Sequence, residues 1–382
     1  MTLRCEPRGA QQGAARLRFC ASGGTIASGP SAASGRYRKM GVKGLLRVLK
    51  EILDEWQVGY ITNLYAQARG KRLAIDGHGF LHRLVVIPKF AHALLFNEDY
   101  SGPAQLFAFW CRTMKEQGVD LRIVFDGDVT PGKATEKAER IAKAQAAIDA
   151  CRRAGAEAVL TWTSGSNKTK LQSAAAGFCN ANLVTAVQNE LTQDGLGAII
   201  APYEGDGQLA HMARTGLVDF VLTPDSDLIV HRVPHVLVTP ASRSQESLNF
   251  TTGDHVYYFP LETLCGSADA EARCQAGGKL DPHVWLAGCL KAHGPRILRL
   301  LAFVVGCDYS GGGIRDIGMV KVLPVLFRYG DNTAAVLKAL AASHPKSFLP
   351  AATAAGRGRR QAPRPINFVP VRLQYFHSAH KP

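Results

Sequence analysis

Short apolar runs that end at an acidic residue alternate with amphipathic stretches through the middle of the chain. The runs have the length and the flanking turn residues of buried strands, and four strands are predicted, at 72–76, 121–126, 198–201 and 219–223. The amphipathic stretches have apolar residues at helical spacing, and helices are predicted at 102–117, 134–153, 182–194 and 208–214. Strands that alternate with helices predict an α/β fold with a mostly parallel sheet. The polar stretches 161–169 and 239–253 are predicted to be loops.

Composition and charge divide the chain into a body and two basic ends. The chain has 382 residues, with 46% hydrophobic and 20% charged positions, which is a globular composition. Residues 1–39 carry seven basic side chains and one acidic one, which is typical of a transit peptide or of translated upstream sequence. Residues 351–382 carry six basic side chains and no acidic one, and a flexible tail is predicted there. The net charge of +14 therefore lies mostly at the ends.

Some protein classes are excluded by the same inventory. No apolar run approaches the roughly 18 residues that span a bilayer, so we expect no membrane association. The nine cysteines form no CxxC pair, and their number is odd. A disulfide scaffold and a zinc ribbon are therefore poor interpretations, and reduced thiols in an intracellular compartment are expected.

Acidic residues follow the predicted strands. Because parallel strands end at one edge of a sheet, where ligands bind in such folds, these carboxylates are expected to converge. The set consists of Asp76, Asp126, Glu204, Asp206, Asp225 and Asp227, and Asp308 follows a further apolar stretch at 298–305. Clustered carboxylates repel one another unless cations neutralise them, and an all-oxygen set selects Mg²⁺ or Mn²⁺. Two such ions form the usual clamp for attack of water on a phosphodiester.

Two other interpretations of these residues stay open. A single Asp after a strand commonly caps a helix or forms a turn, so only the repetition at several strand ends favours metal binding. Residues 126–130 also match a DxDxT phosphatase box, with Asp126 as nucleophile and Asp128 as acid. The phosphatase hypothesis leaves Glu204, Asp206 and the segment 306–309 unexplained.

The motifs resemble those of the structure-specific 5′ nucleases, the flap endonuclease and XPG superfamily. They occur in the family's order, at 40–46, 75–76, 124–127, 201–210, 223–228 and 306–309. Asp206 in the segment 203–209 is most similar to the exonuclease 1 branch, since other branches usually have Glu there. The resemblance implies a PIN-like α/β fold with a helical arch and a helix–two-turn–helix motif. It places a nuclease domain at 40–350, with parts near 40–140, 195–270 and 306–328.

Roles follow from the resemblance position by position. Asp76, Asp126, Glu204 and Asp206 would bind one metal ion, and Asp225, Asp227 and Asp308 would complete a second site. Lys133 and Arg140 would hold the scissile phosphate, although a solvated helix surface is the alternative. The resemblance also implies DNA contacts at His82, Gly41, Gly311, Gly312, Gly313 and Gly318. A potassium ion is expected in the turn after Asp308, but this turn is one residue longer than usual and Asp316 replaces a glycine.

The functional expectation is a metal-dependent 5′→3′ exonuclease with 5′-flap endonuclease activity. Its substrate would be double-stranded DNA with nicks, gaps, flaps or recessed 5′ ends. The alternatives are a plain flap endonuclease, a non-catalytic DNA-binding relative and the phosphatase. A monomer in the nucleus is expected, or in a mitochondrion or plastid if residues 1–39 are a transit peptide. The resemblance also allows mismatch-repair proteins as partners.

Overall fold

The computed structural model describes residues 42–55, 60–61, 64–130, 133–239, 256–265, 268–307 and 313–348. The predicted N-terminal extension at 1–39 and the predicted tail at 351–382 lie outside these residues.

One sheet of seven strands forms the centre of the described part. The strands are β1 (Tyr60–Ile61), β2 (Arg72–Asp76), β3 (Asp120–Phe125), β4 (Ala198–Ile200), β5 (Phe220–Thr223), β6 (His235–Val238) and β7 (Val256–Pro260). Their order across the sheet is β1-β7-β6-β5-β2-β3-β4. Strands β2 to β6 are parallel, whereas β7 pairs antiparallel with both β6 and β1. The four predicted strands and the mostly parallel sheet are confirmed.

Helices cover both faces of this sheet. In the described residues they are α1 (Leu45–Glu55), α2 (Leu64–Ala68), α3 (Gly77–Val85), α4 (Pro88–Asn97), α5 (Ser101–Glu116), α6 (Ala134–Ala154), α7 (Ala156–Leu160), α8 (Gly165–Ala175), α9 (Ala181–Gln193), α10 (Gly205–Arg214), α11 (Asp227–Val230), α12 (Leu261–Leu264), α13 (Ala268–Ala276), α14 (Pro282–His293), α15 (Ile297–Val305), α16 (Met319–Tyr329) and α17 (Thr333–Ser343). Short 3-10 helices lie at Ala176–Phe178 and Pro345–Ser347. The predicted α/β class is therefore confirmed.

Alternate side chains of the central strands enter two separate cores. Leu73 and Ile75 of β2 pack on one face with α3, α5 and α9, whereas Ala74 packs on the other with α1, α10, α14 and α15. The register aligns Ile75 with Ile123 of β3 and with Leu222 of β5. Because both faces are covered, these strands are mostly apolar, and apart from Arg122 in β3 their polar residues lie at the ends.

The predicted loop at 161–169 is wrong in its second half. Helix α8 begins at Gly165 and continues to Ala175. Its buried residues are Leu171, Ala174 and Ala175, which lie beyond the polar stretch. Helix α8 packs against α6. These tertiary contacts stabilise the first turn of α8, whose polar sequence does not predict a helix. Of the other predicted loop, only Thr239 lies within the described residues.

Within the described residues, no single helix is long and apolar enough to cross a bilayer. Only α3 and α4 taken together, with a bend of 85° between them, reach that length and composition.

Candidate active site

Asp76 lies at the C-terminal end of the central strand β2 and caps helix α3. Its Oδ1 accepts a hydrogen bond from the Gly79 amide at 2.9 Å, and its Oδ2 accepts one from the Thr223 hydroxyl at 2.8 Å. A Cβ at Gly79 would lie 2.3 Å from Oδ2, so the close approach requires glycine. Burial raises the pKa of Asp76, and the negative charge of Asp126 adds to the effect, while both hydrogen bonds oppose it. Asp76 is thus both a helix cap and a buried carboxylate.

Asp126 follows the neighbouring strand β3 and lies at the same edge of the sheet. Its Oδ1 accepts a hydrogen bond of 2.7 Å from the amide of Gly205, the first residue of α10. Its own amide donates to His78 Nδ1 at 2.9 Å. Because that nitrogen accepts, the proton of the neutral ring is on Nε2, and the contact of 3.8 Å between Nδ1 and Asp126 Oδ2 is not an ion pair in this tautomer.

Glu204 immediately precedes α10 and is largely buried, with 15% of its side chain exposed. Its Oε1 accepts a hydrogen bond of 3.1 Å from the Thr130 hydroxyl, and its Oε2 forms an ion pair with Lys133 Nζ. Lys133 caps α6 at its N-terminal end, so the pair connects α6 with α10. The carboxylate is therefore held by two residues of the segment that follows β3.

Asp206, in the first turn of α10, is affected by several neighbouring charges. Burial and the negative charge of Asp76 raise its pKa well above the usual range. Asp227 and Asp225 act in the same direction, and Lys133 acts against them. Residues from β2, the N-terminal end of α6, α10 and the β5–α11 turn therefore form one electrostatic cluster.

The turn between β5 and α11 supplies the remaining described carboxylates. Asp225 Oδ1 accepts hydrogen bonds from the amides of Ser226 and Asp227, the latter at 3.3 Å. The Asp225 amide donates to the Thr223 hydroxyl at 3.1 Å, and that hydroxyl in turn donates to Asp76. Asp227 begins α11 and is 5% exposed. Thr223 therefore connects the turn to the first carboxylate.

We call the six described carboxylates the carboxylate edge, namely Asp76, Asp126, Glu204, Asp206, Asp225 and Asp227. Asp308, the seventh predicted ligand, lies outside the described residues. In the described part of the chain, no group of three or more His, Cys, Asp or Glu side chains is arranged to hold a metal ion as it stands. The chemistry of the set nevertheless fits a hard divalent cation. All its donors are carboxylate oxygens, and the negative charges of Asp76, Asp225 and Asp227 add to the effect of burial in raising the pKa of Asp206.

Other predicted residues lie near this edge. Arg140 Nη2 donates to Glu136 at 2.7 Å on the exposed surface of α6. Burial lowers the pKa of His82 to about 4, with smaller electrostatic contributions from His78 and Arg140 in the same direction and from Asp126 in the opposite one. His82 and Arg140 are thus within electrostatic range of one another, while Lys133 forms an ion pair with Glu204. Their predicted DNA contacts stay predictions.

The glycine-rich turn is described only in its second half. Gly41, Gly311 and Gly312 lie outside the described residues. Gly313 has φ +80°, and a Cβ there would lie 2.5 Å from the Gly306 amide nitrogen, so only glycine fits. Gly318 caps α16. Asp316, which the sequence marks as replacing a glycine, has φ 58°, a left-handed conformation that asparagine and aspartate tolerate better than most residues.

Sequence reasoning missed three residues that contact the acidic residues, His78 through the backbone amide of Asp126 and the two threonines through carboxylate oxygens. His78, Thr130 and Thr223 contact Asp126, Glu204 and Asp76 respectively. His78 lies two residues after the end of β2, and Thr223 is the last residue of β5. This proximity to a strand end is the signal that could have identified them. Thr130 has no comparable signal, because its partner is 74 positions away.

Two domains of one family match the chain. Residues 40–147 match the XPG N-terminal domain, and residues 195–274 match the XPG I-region. The carboxylate edge takes Asp76 and Asp126 from the first match and the other four residues from the second. The resemblance to the flap endonuclease and XPG superfamily that the motifs predict is confirmed by these two matches.

Named relatives agree with this resemblance. The chain is 25% identical over 299 residues to exodeoxyribonuclease 1 of Schizosaccharomyces pombe, a match that covers 78% of this chain and 44% of that protein. It is also 25% identical over 311 residues to flap endonuclease 1 of Chlamydomonas reinhardtii, covering 76% of this chain and 65% of that protein. The chain thus spans less than two thirds of either relative. Among solved structures, human GEN1 in complex with Holliday junction DNA matches with a TM-score of 0.47 and 16% identity, covering 78% of this chain and 58% of that one.

Proposed function

We propose that this chain is a divalent-metal-dependent 5′ nuclease, a 5′→3′ exonuclease with 5′-flap endonuclease activity on nicked, gapped, recessed or flapped duplex DNA. The observation that carries the proposal is the convergence of carboxylates from three segments at one edge of the sheet. Asp206 interacts electrostatically with Asp76, Asp225 and Asp227, although these residues are up to 151 positions apart in the chain. A protein that only binds DNA gains nothing from such repulsion.

The carboxylates would divide into two groups of cation ligands. Asp76, Asp126, Glu204 and Asp206 would hold one ion, and Asp225 and Asp227 would hold the second together with Asp308. Mg²⁺ or Mn²⁺ bound there supplies a Lewis acid that activates water and neutralises the leaving oxygen of a phosphodiester. A potassium ion in the turn after Asp308 is part of the same proposal.

Side chains of this protein would orient the ligands before DNA binds. Thr130 and Lys133 fix both oxygens of Glu204. The Gly205 amide fixes one oxygen of Asp126, and Thr223 fixes one oxygen of Asp76. Carboxylates held in this way lose little conformational freedom when they bind a cation, which favours a site of defined geometry.

Lys133 and Arg140 would contact the phosphate that is cleaved. Both lie on the segment at the N-terminal end of α6, and their positive charges would offset the charge that develops there. His82 is uncharged at neutral pH, because its pKa is lowered to about 4. It would therefore contact the end of the DNA with its ring and its N–H group, and not as a cation.

The proposal is tested by cleavage of 5′-labelled duplexes that are blunt, nicked or carry a 5′ flap. With Mg²⁺ we expect release of short products from the nicked and blunt substrates and of the flap from the third, and none of these products with a chelator. A plain flap endonuclease, which the similarity to flap endonuclease 1 favours, would cleave only the flapped duplex. Absence of cleavage on all three substrates would contradict the proposal, and release of phosphate from an aryl phosphate would favour the phosphatase.

The cellular location, the oligomeric state and the protein partners of this chain are part of the same proposal. We propose a monomer that acts in nuclear DNA repair, with mismatch-repair proteins as partners, on the basis of the similarity to exodeoxyribonuclease 1. Imaging of a fluorescent fusion of the full chain checks the location, and a signal in a mitochondrion or plastid would instead favour a transit peptide at residues 1–39.

A further inference from the structure

Four arginines gather at the end of helix α10 that is remote from the carboxylates. We call Arg214, Arg232, Arg296 and Arg299 the arginine cluster. Arg214 is the last residue of α10, Arg232 follows the short helix α11, and Arg296 and Arg299 begin α15. Helix α11 packs against both α10 and α15, which brings these segments together. The cluster thus comes from three elements, and no motif of the sequence marks it.

The two arginines nearest to α11 show how the cluster is built. Arg214 Nη1 donates to the backbone carbonyl oxygen of His231 at 3.2 Å, which fixes that guanidinium beside Arg232. Arg232 has φ 60°, a left-handed conformation that costs a residue with a large side chain free energy. Its Nε is buried and, among the described residues, has no hydrogen-bond partner. A strained backbone and an unsatisfied donor at one residue call for a compensating interaction.

Electrostatics at the cluster support this interpretation. Burial lowers the pKa of Arg299 to about 10, and the charges of Arg232, Arg214 and Arg296 contribute to the decrease. Burial also lowers the pKa of Arg214, with a further contribution from Arg232. The four guanidinium groups therefore lie close enough to affect one another, and such a group of cations suits an anionic ligand.

We propose that the arginine cluster is a second anion site, which binds a phosphate group through the guanidinium groups of Arg214, Arg232 and Arg299. Guanidinium groups donate paired hydrogen bonds that match the oxygens of a phosphate, and several of them together suit one dianion or a phosphodiester. The phosphate can come from the DNA backbone or from a free ion. Binding of inorganic phosphate does not rest on the proposed nuclease activity, whereas the DNA source does.

The test uses Arg232→Gly in the full chain, because glycine adopts φ 60° without strain while the guanidinium is removed. Arg214→Gln is a second variant in the cluster. Arg153→Gln, an exposed position at the end of α6, is the control with the same change of charge. Thermal unfolding is followed with a chelator, in phosphate and in chloride of the same ionic strength. We expect phosphate to raise the Tm of the wild type and of the control by about 2–4 °C more than that of Arg232→Gly or Arg214→Gln.

A second measurement identifies the source of the phosphate. Binding of a nicked duplex is measured with a chelator at several salt concentrations. If the ligand is a DNA phosphate, Arg232→Gly weakens binding about three- to tenfold relative to the control and reduces the salt dependence by about one counterion. If DNA binding is unchanged while the phosphate shift is lost, the ligand is a free phosphate. The same phosphate-induced shift in all four proteins would overturn the proposal, whatever the cleavage assay shows.

Discussion

The carboxylate edge and the arginine cluster lie at opposite ends of helix α10. Asp206 is in its first turn and Arg214 is its last residue, so each charge is favoured by the helix macrodipole. Both regions collect like charges from segments that are far apart in the chain. In both, burial shifts pKa values toward the neutral form, upward for Asp206 and downward for Arg299. The two regions therefore suit ligands of opposite sign.

The largest effect is expected when a carboxylate that is proposed as a cation ligand is removed. Asp225→Ala is expected to reduce cleavage at least about a hundredfold, since the proposed second cation site would lose a ligand. Duplex binding is expected to stay within a few-fold of the wild type, because other residues would supply the phosphate contacts. Initial rates on the nicked duplex and binding of the same duplex in chelator measure the two effects.

Its control is Asp269→Asn, which removes a carboxylate that is exposed on α13. We expect wild-type rates for that variant. If Asp225→Ala lost cleavage and binding in equal measure, Asp225 would have a structural role and the assignment to a cation site would be wrong.

The pKa of His82, a partly buried base beside the carboxylate edge, is lowered, whereas the pKa values of Asp76 and Asp206 are raised. The pKa of His82 is about 4 in the folded protein and about 6.5 in an unfolded chain, so only the unfolded chain binds the proton between these values. The free energy of unfolding should therefore fall as the pH is lowered from about 6.5 to about 4. The contribution of this one group is about 2–3 kcal/mol at the lower end.

Urea unfolding of the wild type and of His82→Gln across this pH range isolates the contribution as a difference. His211→Gln, at an exposed position of α10, is the matched control. A constant difference between the wild type and His82→Gln would show that His82 keeps an ordinary pKa in the folded protein.

Cation binding at the carboxylate edge should be coupled to protons, whereas the guanidinium groups of the arginine cluster stay protonated at neutral pH. Because neighbouring charges and burial raise the pKa of Asp206, a cation that binds there displaces a proton in the range where the group titrates. The affinity for Mg²⁺ is then expected to fall as the pH is lowered, by up to about tenfold per pH unit in that range. Calorimetry in two buffers with different ionisation enthalpies counts the protons released.

Asp206→Asn removes the titrating group and is expected to remove most of this pH dependence. An unchanged pH dependence in the variant would assign the proton to another carboxylate. It would also mean that Asp206 is charged in the folded protein. Burial would then not shift the pKa of Asp206 toward the neutral form, as it does for Arg299 at the other end of α10.

Much of the fold and part of the site could be predicted because they depend on local patterns. Strands such as β2 are short apolar runs, and Asp76 follows directly from its place at the strand end. Partners across the fold could not be predicted in this way. The contact between Thr130 and Glu204 joins residues 74 positions apart, and the arginine cluster has no regular spacing. Such contacts are decided by how α6, α10 and α11 pack, and no local pattern encodes that packing.

The smallest expected effect concerns helix α10, which joins the two regions. Gly207 lies in its first turns, and a Cβ there meets nothing within 4 Å. Gly207→Ala should therefore raise the free energy of unfolding by about 0.5–1 kcal/mol, since alanine lowers the entropy of the unfolded chain at no steric cost. Gly205 is the matched site, because a Cβ there would lie 3.0 Å from Asp126 Oδ1 and crowd that carboxylate. Gly205→Ala should gain less stability, or lose some, and should reduce cleavage, whereas Gly207→Ala should leave cleavage unchanged. Equal stabilisation by both variants would mean that Asp126 moves away without cost, and that its hydrogen bond to the Gly205 amide does not help to position it.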